Sequence, residues 1–217
     1  MFSRSDEEAQ AERDMSALDD ALSDAALSDS TLLNRLGRGD AASFDALFYR
    51  HYDRVYGLLF RLVGERAEAE DLTQETFIKL HAHARGRRRG GEENVSAWLY
   101  RVAMNLGYNA LRGRKRRWQR DVHLLPEPTN ADLAQEALVR REERAAVRVA
   151  LARLPQQQAQ LLVLRQMDFS YAECAAICGV APGSVGTLLA RAAASFRKVY
   201  DEVAGAGAGA PKELRDG

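Results

Sequence analysis

Aromatic, amide and basic side chains recur along the stretch WLYRVAMNLGYNALRGRKRR, residues 98–117. Steps of three and four residues place a set of these side chains on one side of a helix: Trp98, Arg101, Asn105, Tyr108 and Arg112. Aromatic rings stack on bases, an amide reads a base edge and guanidinium groups hold phosphates, so the set suits a strand whose bases are unstacked. A dense basic cluster then extends the same surface: Arg114, Lys115, Arg116 and Arg117. The alternative is a solvated helix end, with Trp98 and Tyr108 in the core.

A second polar surface lies on the preceding predicted helix, where Asp71, Gln74, Glu75 and Ile78 share one face. Paired carboxylates could perform acid–base chemistry, but no histidine, third carboxylate or glycine-rich phosphate loop accompanies these. Ile78, with Phe77 beside it among the acids, favours a surface that binds another protein, and a solvated face is the alternative. We therefore expect no enzyme activity, no catalytic residue, no metal and no cofactor.

These surfaces need helices to position them, and apolar residues recur at helical spacing from Ser43 onward without any period-two stretch. The sequence predicts an all-α protein with two small helical domains, the first over residues 32–117. One long helix ends at Gly64, a second begins near Arg66, and a basic loop over residues 83–94 leads into the third. The second and third helices are predicted to bury one stripe each: Ala69, Leu72, Thr76 and Leu80, and Leu99, Val102, Leu106 and Ala110.

The second domain follows a linker over residues 118–134, where Pro126 and Pro128 interrupt the helical pattern. Over residues 135–203 the pattern resumes, with Pro155 in the first turn of a helix. Ser170 and Glu173 form a capping-box signature at the start of a short helix that must stop by Gly179. Another helix runs from about Pro182 to Val203, so the sequence predicts a helix-turn-helix.

The formal net charge of zero hides two oppositely charged segments. Residues 1–30 hold nine acidic and two basic residues, a net charge of −7, whereas residues 85–120 hold eleven basic and two acidic residues, a net charge of +9. The basic segment predicts a polyanionic partner. Residues 1–31 and the glycine- and alanine-rich residues 204–217 are predicted to be disordered, and we expect the segment before Leu32 to be dispensable for folding.

The sequence shows no secretion signal and no uncharged run long enough for a bilayer, so we expect a soluble protein that stays in the cytoplasm. Its two cysteines, Cys174 and Cys178, lie on one helical face without a nearby histidine. We interpret them as small buried apolar groups. The four histidines are scattered, and we interpret them as structural or surface residues.

Three stretches, in this order, resemble one known family: AEDLTQETFIKLH at residues 69–81, WLYRVAMN at residues 98–105, and the helix-turn-helix with its flanks at residues 151–192. From Leu32 to Val203 the chain resembles a bacterial sigma-70 family RNA polymerase sigma factor of the extracytoplasmic function (ECF) type. The resemblance implies an initiation factor that binds core RNA polymerase and directs promoter recognition, DNA melting and transcription initiation. Its implied partners are core RNA polymerase, promoter DNA and an anti-sigma factor.

The resemblance also implies a role for each surface. Asp71, Gln74 and Glu75, with Ile78 beside them, match positions that dock on the clamp helices of the large polymerase subunit. The helix that carries Trp98 and Asn105 matches the element that melts the minus-ten region. Asn105 stands at the position that meets a flipped base, and the basic run over residues 112–117 would hold the backbone.

In the family, the second helix of the helix-turn-helix lies in the major groove of the minus-thirty-five element. The matching candidates here are Ser184, Thr187 and Arg191. Gly186 and Leu188 depart from the family, which usually carries basic residues there, so we expect this recognition to be weak or different.

Two other functions stay open on the sequence. A sigma-like adaptor would sequester an anti-sigma factor without engaging promoters. Gly186 and Leu188 slightly favour this function, because they depart from the family pattern. Trp98, Asn105 and the basic cluster favour the initiation factor instead. A helix-turn-helix repressor that acts without polymerase would leave the acidic face unexplained.

Overall fold

The structure, a computed structural model, describes residues 27–86, 93–118 and 131–208, and over residues 114–118, 131–141 and 206–208 it describes the backbone alone. Within these ranges the chain is helical and has no strand, which confirms the all-α prediction. The helices are α1 (Asp29–Leu36), α2 (Ala41–Val63), α3 (Arg66–Gly86), α4 (Val95–Trp118), α5 (Ala131–Arg153), α6 (Gln156–Gln166), α7 (Tyr171–Cys178) and α8 (Val185–Ala208), with a 3-10 turn (Pro182–Ser184) before α8. Helices α1 to α4 form the N-terminal domain, and α5 to α8 form the C-terminal domain.

None of the helices in these ranges is by itself long and apolar enough to cross a membrane. One pair, Tyr171–Cys178 and Pro182–Gly205, meets the length and composition test only when both parts are taken together, and it is bent by 108°.

Helix α1 begins inside the segment that the sequence predicted to be disordered. Ser28 is its N-cap and accepts a hydrogen bond from the Thr31 amide at 3.3 Å. Asp29 binds α2 through Arg50 Nη1 at 2.5 Å and His51 Nε2 at 2.8 Å. The next turns bury a leucine stripe: Leu32, Leu33 and Leu36. The prediction of disorder through residue 31 is therefore wrong over residues 27–31, because this stripe and the Asp29 contacts hold α1 against α2, and residues 1–26 lie outside the described ranges.

We therefore expect only residues 1–26, and not the whole segment before Leu32, to be dispensable for folding. Removal of residues 1–26 is expected to leave the melting temperature unchanged, whereas removal of residues 1–31 is expected to lower it. The longer deletion takes away Ser28 and Asp29, a helix cap and a partly buried charged hydrogen-bond acceptor that together contribute on the order of 2 kcal/mol. Thermal unfolding of both truncated chains checks this. Equal melting temperatures for the two truncations would contradict it.

Asp29 also predicts a pH dependence. Burial pushes the pKa of Asp29 up, but hydrogen bonds from His51 and Arg50 and their positive charge outweigh burial, so the pKa lies below its ordinary value of 3.8. A carboxyl with a lowered pKa stabilises the fold above its ordinary pKa, and this contribution is lost as the pH falls through the folded-state pKa. Asp29→Asn should therefore destabilise the chain at neutral pH, and the difference from the unsubstituted chain should shrink below about pH 4.

Helix α2 lies at the centre of the N-terminal domain. Its N-cap, Asp40, accepts hydrogen bonds from the Ala42 amide at 3.1 Å and the Ser43 hydroxyl at 2.7 Å. It ends as predicted at Gly64, which is in the left-handed region at φ 72°. A fully buried apolar stripe faces the core: Leu47, Val55, Leu58, Leu59 and Leu62.

Gly107 of α4 packs against this stripe. A Cβ at Gly107 would lie 2.8 Å from Leu62 Cδ1 and 2.9 Å from Leu59 Cδ2, closer than Cβ atoms come to other carbons. Glycine therefore allows α2 and α4 to approach closely, and this contact sets the position of α4 on the domain.

Leu59→Ala is expected to lower the free energy of unfolding by about 2–5 kcal/mol, since it leaves a cavity at a fully buried site. Chemical denaturation measures the change. Arg61→Ala, an exposed position on the same helix, is the control and should change stability by less than about 0.5 kcal/mol. A Leu59→Ala chain as stable as the control would contradict the burial of this stripe.

Helix α3 buries Ala69, Thr76 and Leu80 as predicted, but its buried side also includes residues outside the predicted set. Leu72 is only half-buried, whereas Thr73 and Phe77 are buried. Phe77 packs against Phe44 and Phe48 at ring-centroid distances of 6.4 and 4.8 Å, so its predicted place among the exposed acids is wrong. Threonine fits the core here because the Thr73 hydroxyl donates to the Ala69 carbonyl at 2.7 Å and leaves no unpaired polar group.

The buried stripe of α4 is rotated from the predicted one. Leu99 is buried, but Val102, Leu106 and Ala110 are half-buried. The buried side chains are instead Tyr100, Ala103, Met104, Tyr108 and Leu111. The prediction assumed one buried side, and it is wrong because α4 packs between α2 and α3 on one side and the C-terminal domain on the other.

The C-terminal domain follows the predicted helices with shifted ends. Helix α5 begins at Ala131 rather than near Gln135, and α8 continues to Ala208 rather than stopping at Val203. Between the domains, residues 119–130 of the predicted linker lie outside the described ranges, as do residues 209–217 of the predicted tail and residues 87–92 of the predicted basic loop.

The capping box of α7 is confirmed. The Glu173 amide donates to Ser170 Oγ at 3.3 Å, and the Ser170 amide donates to Glu173 Oε2 at 2.8 Å. These bonds hold the pKa of Glu173 below its ordinary value. The helix ends at Gly179 in the left-handed region, φ 67°, as predicted.

Candidate nucleic-acid and protein interfaces

Trp98 lies at the start of α4, half-buried and supported from one side. Its ring stacks on His83 with the centroids 4.3 Å apart and the planes at 20°. His83 Nε2 in turn lies 3.0 Å from Glu93 Oε1, which fixes the imidazole. The Asn94 side chain caps the helix by accepting from the Ala97 amide at 2.9 Å. Trp98 is thus held rigidly at the helix N-terminus, and His83 is a support that the sequence did not predict.

Arg101 and Asn105 lie on the outer side of α4, as predicted, and both contact the C-terminal domain. Arg101 Nε donates to the Ile177 carbonyl at 2.8 Å, and Nη2 donates to the Ala176 carbonyl at 2.6 Å. Asn105 Oδ1 accepts from Gln156 Nε2 at 2.7 Å and from Gln160 Nε2 at 3.0 Å. Arg101 and Asn105, two of the residues predicted to bind DNA, are therefore paired with α7 and α6 in this structure.

Tyr108 does not share the exposed face. It is 1% exposed, and its hydroxyl donates to the Leu154 carbonyl. Burial raises the pKa of Tyr108, against the opposing charge of Arg112. The prediction that Tyr108 is available to DNA is wrong for this arrangement, because the C-terminal domain covers its ring. The alternative placement in the core is the observed one.

Beyond Tyr108, Arg112 is exposed, with its guanidinium carbon 5.9 Å from the Tyr108 ring centroid. The backbone of the basic cluster continues α4 to Trp118. The side chains of Arg114, Lys115, Arg116 and Arg117 lie outside the described part of the chain.

The acidic face of α3 is formed as predicted. Asp71, Gln74, Glu75 and Ile78 are all exposed, and Ile78 keeps 67% of its surface in solvent. Glu75 Oε1 lies 3.2 Å from Lys79 Nζ, an exposed pair of a kind that contributes little to stability. The face therefore combines two carboxylates with an apolar side chain that the fold itself does not use.

The helix-turn-helix places its three candidate residues in solvent. Ser184, in the 3-10 turn before α8, and Thr187 and Arg191, in the first two turns of α8, are exposed. Leu188 is half-buried and packs against the core, so it does not occupy the exposed face where a basic residue could stand. Gly186 faces Tyr171, where an added Cβ would lie 3.7 Å from Cε2. The two departures from the family pattern thus belong to the packing of α8 rather than to its outer surface.

The contacts between the domains were not predicted at all. Phe169 is fully buried and meets Tyr100 edge to face at 5.1 Å. The Arg54 guanidinium lies 4.6 Å from the centre of the Phe169 ring. Gln156 and Gln160 belong to the same contact. Their sequence, QQQAQ, gives no periodic apolar signal, so only the fold reveals them.

Cys174 is buried and Cys178 is half-buried. Burial raises the pKa of Cys178 to about 12 and also raises the pKa of Cys174. Both thiols are therefore uncharged near neutral pH, in keeping with apolar packing. In the described ranges no group of three or more histidine, cysteine or carboxylate side chains could hold a metal ion.

Comparison with known proteins follows the same division of the chain. The model of Sigma-70 region 2 matches residues 47–117, and the model of Sigma-70, region 4 matches residues 144–195. The RNA polymerase sigma-H factor of Pseudomonas aeruginosa is 31% identical over 181 residues, which cover 78% of this chain and 92% of that protein. The ECF RNA polymerase sigma-E factor of Haemophilus influenzae is 30% identical over 176 residues, which cover 76% of this chain and 92% of that protein.

A solved structure shares the fold. CnrH, determined in complex with the cytosolic domain of CnrY, superposes with a TM-score of 0.52 at 20% identity. The match covers 80% of this chain and 97% of CnrH.

Proposed function

We propose that separate surfaces of this chain, which belongs to the ECF type of sigma-70 family RNA polymerase sigma factors, perform the separate steps of transcription initiation. As such a factor it binds core RNA polymerase and directs promoter recognition. The proposal assigns one surface to each step and rests on the exposed residues of α3, α4 and α8.

Helix α3 docks on core RNA polymerase through Asp71, Gln74, Glu75 and Ile78. Two exposed carboxylates and one exposed apolar side chain make a mixed surface suited to a basic groove on a protein partner. The opposite side of α3 is packed into the core through Thr73 and Phe77, so a partner would meet a rigid face.

Helix α4 captures the minus-ten region as single-stranded DNA. The observation that carries this assignment is the row of exposed polar side chains Arg101, Asn105 and Arg112, which leads into the basic cluster. An amide can hydrogen-bond the edge of an unstacked base, an aromatic ring such as Trp98 can stack on a base, and the guanidinium groups neutralise phosphates. This chain makes or breaks no bond; it lowers the free energy of the open strand, and the polymerase performs the chemistry.

Helix α8 reads the minus-thirty-five element through Ser184, Thr187 and Arg191. A recognition helix of a helix-turn-helix enters the major groove with its N-terminal residues at the base edges, and these three are exposed in the 3-10 turn before α8 and in its first two turns. With one basic residue among them, this contact contributes less affinity than the basic end of α4.

We further propose that an anti-sigma factor binds and regulates this chain. We also propose that the chain acts in the cytoplasm, since the family acts with RNA polymerase. The alternative, a sigma-like adaptor that does not engage promoters, was favoured on the sequence by Gly186 and Leu188, which belong to the packing of α8.

Run-off transcription with purified core RNA polymerase on a library of randomised promoters separates the two. The initiation factor should yield transcripts from a subset of templates that share a minus-ten motif, and Asn105→Ala should lose that selectivity. Asn109→Ala, an exposed asparagine one turn further along α4, is the matched control. An adaptor would bind its anti-sigma factor and give no transcript from any template.

A further inference from the structure

We propose that Asp29 of α1, His51 of α2 and Tyr100 of α4 form a hydrogen-bond relay that positions α4 for the capture of unpaired DNA. This inference rests on the proposed function of α4. Tyr100 lies in the chain between Trp98 and Arg101, so whatever fixes Tyr100 also fixes these two side chains. The three members of the relay are positioning residues, because they act on DNA only through α4.

His51 is the centre of the relay and is only 6% exposed. Its Nε2 lies 2.8 Å from Asp29 Oδ2, and its Nδ1 lies 3.2 Å from the Tyr100 hydroxyl. An ionised carboxylate only accepts hydrogen bonds, so Nε2 donates to Asp29. A hydroxyl both donates and accepts, so the Nδ1 contact can form with a neutral or a protonated ring. Both ring nitrogens of His51 thus have partners, one on α1 and one on α4.

The α1 end of the relay is held by a second cation. Arg50 Nη1 lies 2.5 Å from Asp29 Oδ1, and it also donates to the Leu27 carbonyl at 3.0 Å. Burial raises the pKa of Asp29, but the hydrogen bonds from His51 and Arg50 outweigh burial and hold the pKa below its ordinary value of 3.8. The carboxylate is therefore ionised at neutral pH and accepts from His51.

The α4 end of the relay lies in the core. Tyr100 is 3% exposed, and its ring meets that of His51 at a centroid distance of 5.9 Å with the planes at 77°. Burial raises the pKa of Tyr100, while the charge and the hydrogen bond of Arg54 oppose the rise. A buried hydroxyl that loses its partner costs free energy, so the bond to His51 constrains where α4 can place Tyr100.

The relay supplies a directional contact that the other contact between α2 and α4 lacks. At Gly107 the two helices approach through apolar atoms, and apolar packing is non-directional. A hydrogen bond, in contrast, weakens steeply as its angle falls. Tyr100 and Gly107 are about two helical turns, or about 10 Å, apart. The Gly107 contact therefore sets the distance between the helices, and the relay sets the rotation of α4, which carries Arg101 and Asn105.

Loss of the relay should weaken capture of the minus-ten strand without affecting the acidic face of α3. A binding site depends on a supporting shell that holds its side chains in a productive geometry. A cut at either end of the relay removes the same constraint, so two cuts together should have little more effect than one. Two separate structural roles would give effects that multiply.

Two substitutions cut the relay at its ends. Asp29→Ala removes the acceptor on α1, and Tyr100→Phe removes one oxygen while keeping the ring. The matched controls are Asp45→Ala, at an exposed acid of α2, and Tyr49→Phe, at a tyrosine that is 80% exposed. Thermal unfolding establishes that each chain is folded at the temperature of the assays.

Two readouts are measured for the single variants, the double variant and the controls. Hydrogen exchange of the unassembled chain reports the opening of α4 amides over residues 98–105 without any DNA. The second readout is the affinity of reconstituted holoenzyme for the promoter selected in the run-off experiment, prepared with an unpaired minus-ten bubble. Co-elution with core polymerase establishes that each variant assembles.

We expect exchange over residues 98–105 to rise equally in both single variants and in the double variant. Affinity for the bubble should fall about threefold to tenfold in each single variant, since one net hydrogen bond is worth a factor of a few. The double variant should bind within about twofold of the weaker single variant. The controls should match the unsubstituted chain in both readouts.

Unchanged bubble affinity in both folded single variants would overturn the relay, and so would effects that multiply in the double variant. If the unsubstituted holoenzyme binds bubble and closed duplex equally, the proposed function has failed. Hydrogen exchange then still decides on the relay: an equal rise in all three cut chains supports it, and unchanged exchange overturns it.

Discussion

Reversal of Arg114, Lys115, Arg116 and Arg117 to glutamate is expected to abolish promoter opening while binding to core RNA polymerase stays largely intact. Each basic residue that neutralises a phosphate releases a counterion, and four reversals replace attraction with repulsion along one strand. We expect a loss of at least about 100-fold in open-complex formation at physiological salt, since a few phosphate contacts already account for several orders of magnitude.

Permanganate reactivity of unpaired thymines measures the opening, and co-elution with core polymerase measures assembly. Reversal of Arg38 and Arg61, two exposed basic residues outside α4, is the charge control and should leave opening unchanged. A fourfold variant that opens the promoter like the unsubstituted chain would remove the basic cluster from the DNA interface.

Replacement of Asp71 and Glu75 by lysine is expected to weaken capture by core polymerase by about 100-fold, because like charges facing each other across an interface cost several kcal/mol. Both side chains are exposed, so the melting temperature of the variant should stay unchanged. Fluorescence anisotropy of labelled chain titrated with core polymerase gives the affinity.

Replacement of Asp45 and Asp53 by lysine provides the matched control, since these are also exposed acids, on α2 rather than α3. A control that loses as much affinity as the α3 variant would show a general effect of net charge. The specific role of the α3 face would then be refuted.

Local chemistry explains which features could be predicted from the sequence. Gly64 and Gly179 end their helices because only glycine adopts the left-handed conformation without strain, and that preference is visible in the residue type. The Ser170 and Glu173 box is likewise complete within four residues. The exposed face of α3 was predicted because Asp71, Gln74, Glu75 and Ile78 follow helical spacing on a helix with a single buried side.

Contacts between distant segments explain the failures. The buried stripe on α4 was misplaced because both domains pack against this helix. A periodic pattern of apolar residues indicates which residues are buried, but it does not indicate which other segment buries them. Asp29 was counted as one of many solvated acids, yet His51, 22 residues away, makes it a structural residue. Tyr108 and Asn105 are three residues apart on α4, and only the position of the C-terminal domain decides that one is covered and the other is hydrogen-bonded.

Arg101 and Asn105 have polar partners within the chain itself. Their hydrogen-bonding groups are bonded to α7 and α6 in this structure. Sequence alone predicts that Arg101 and Asn105 bind something polar. It does not show that the C-terminal domain of the same chain supplies polar partners for both residues.

The central claim, that α4 binds separated promoter strands while the chain is assembled on polymerase, is tested most directly by one comparison. Holoenzyme reconstituted with this chain is titrated with a selected promoter as closed duplex and as the same duplex with an unpaired minus-ten bubble. The account predicts tighter binding to the bubble, with the preference lost in Asn105→Ala. Equal affinity for both templates in the unsubstituted holoenzyme would contradict it.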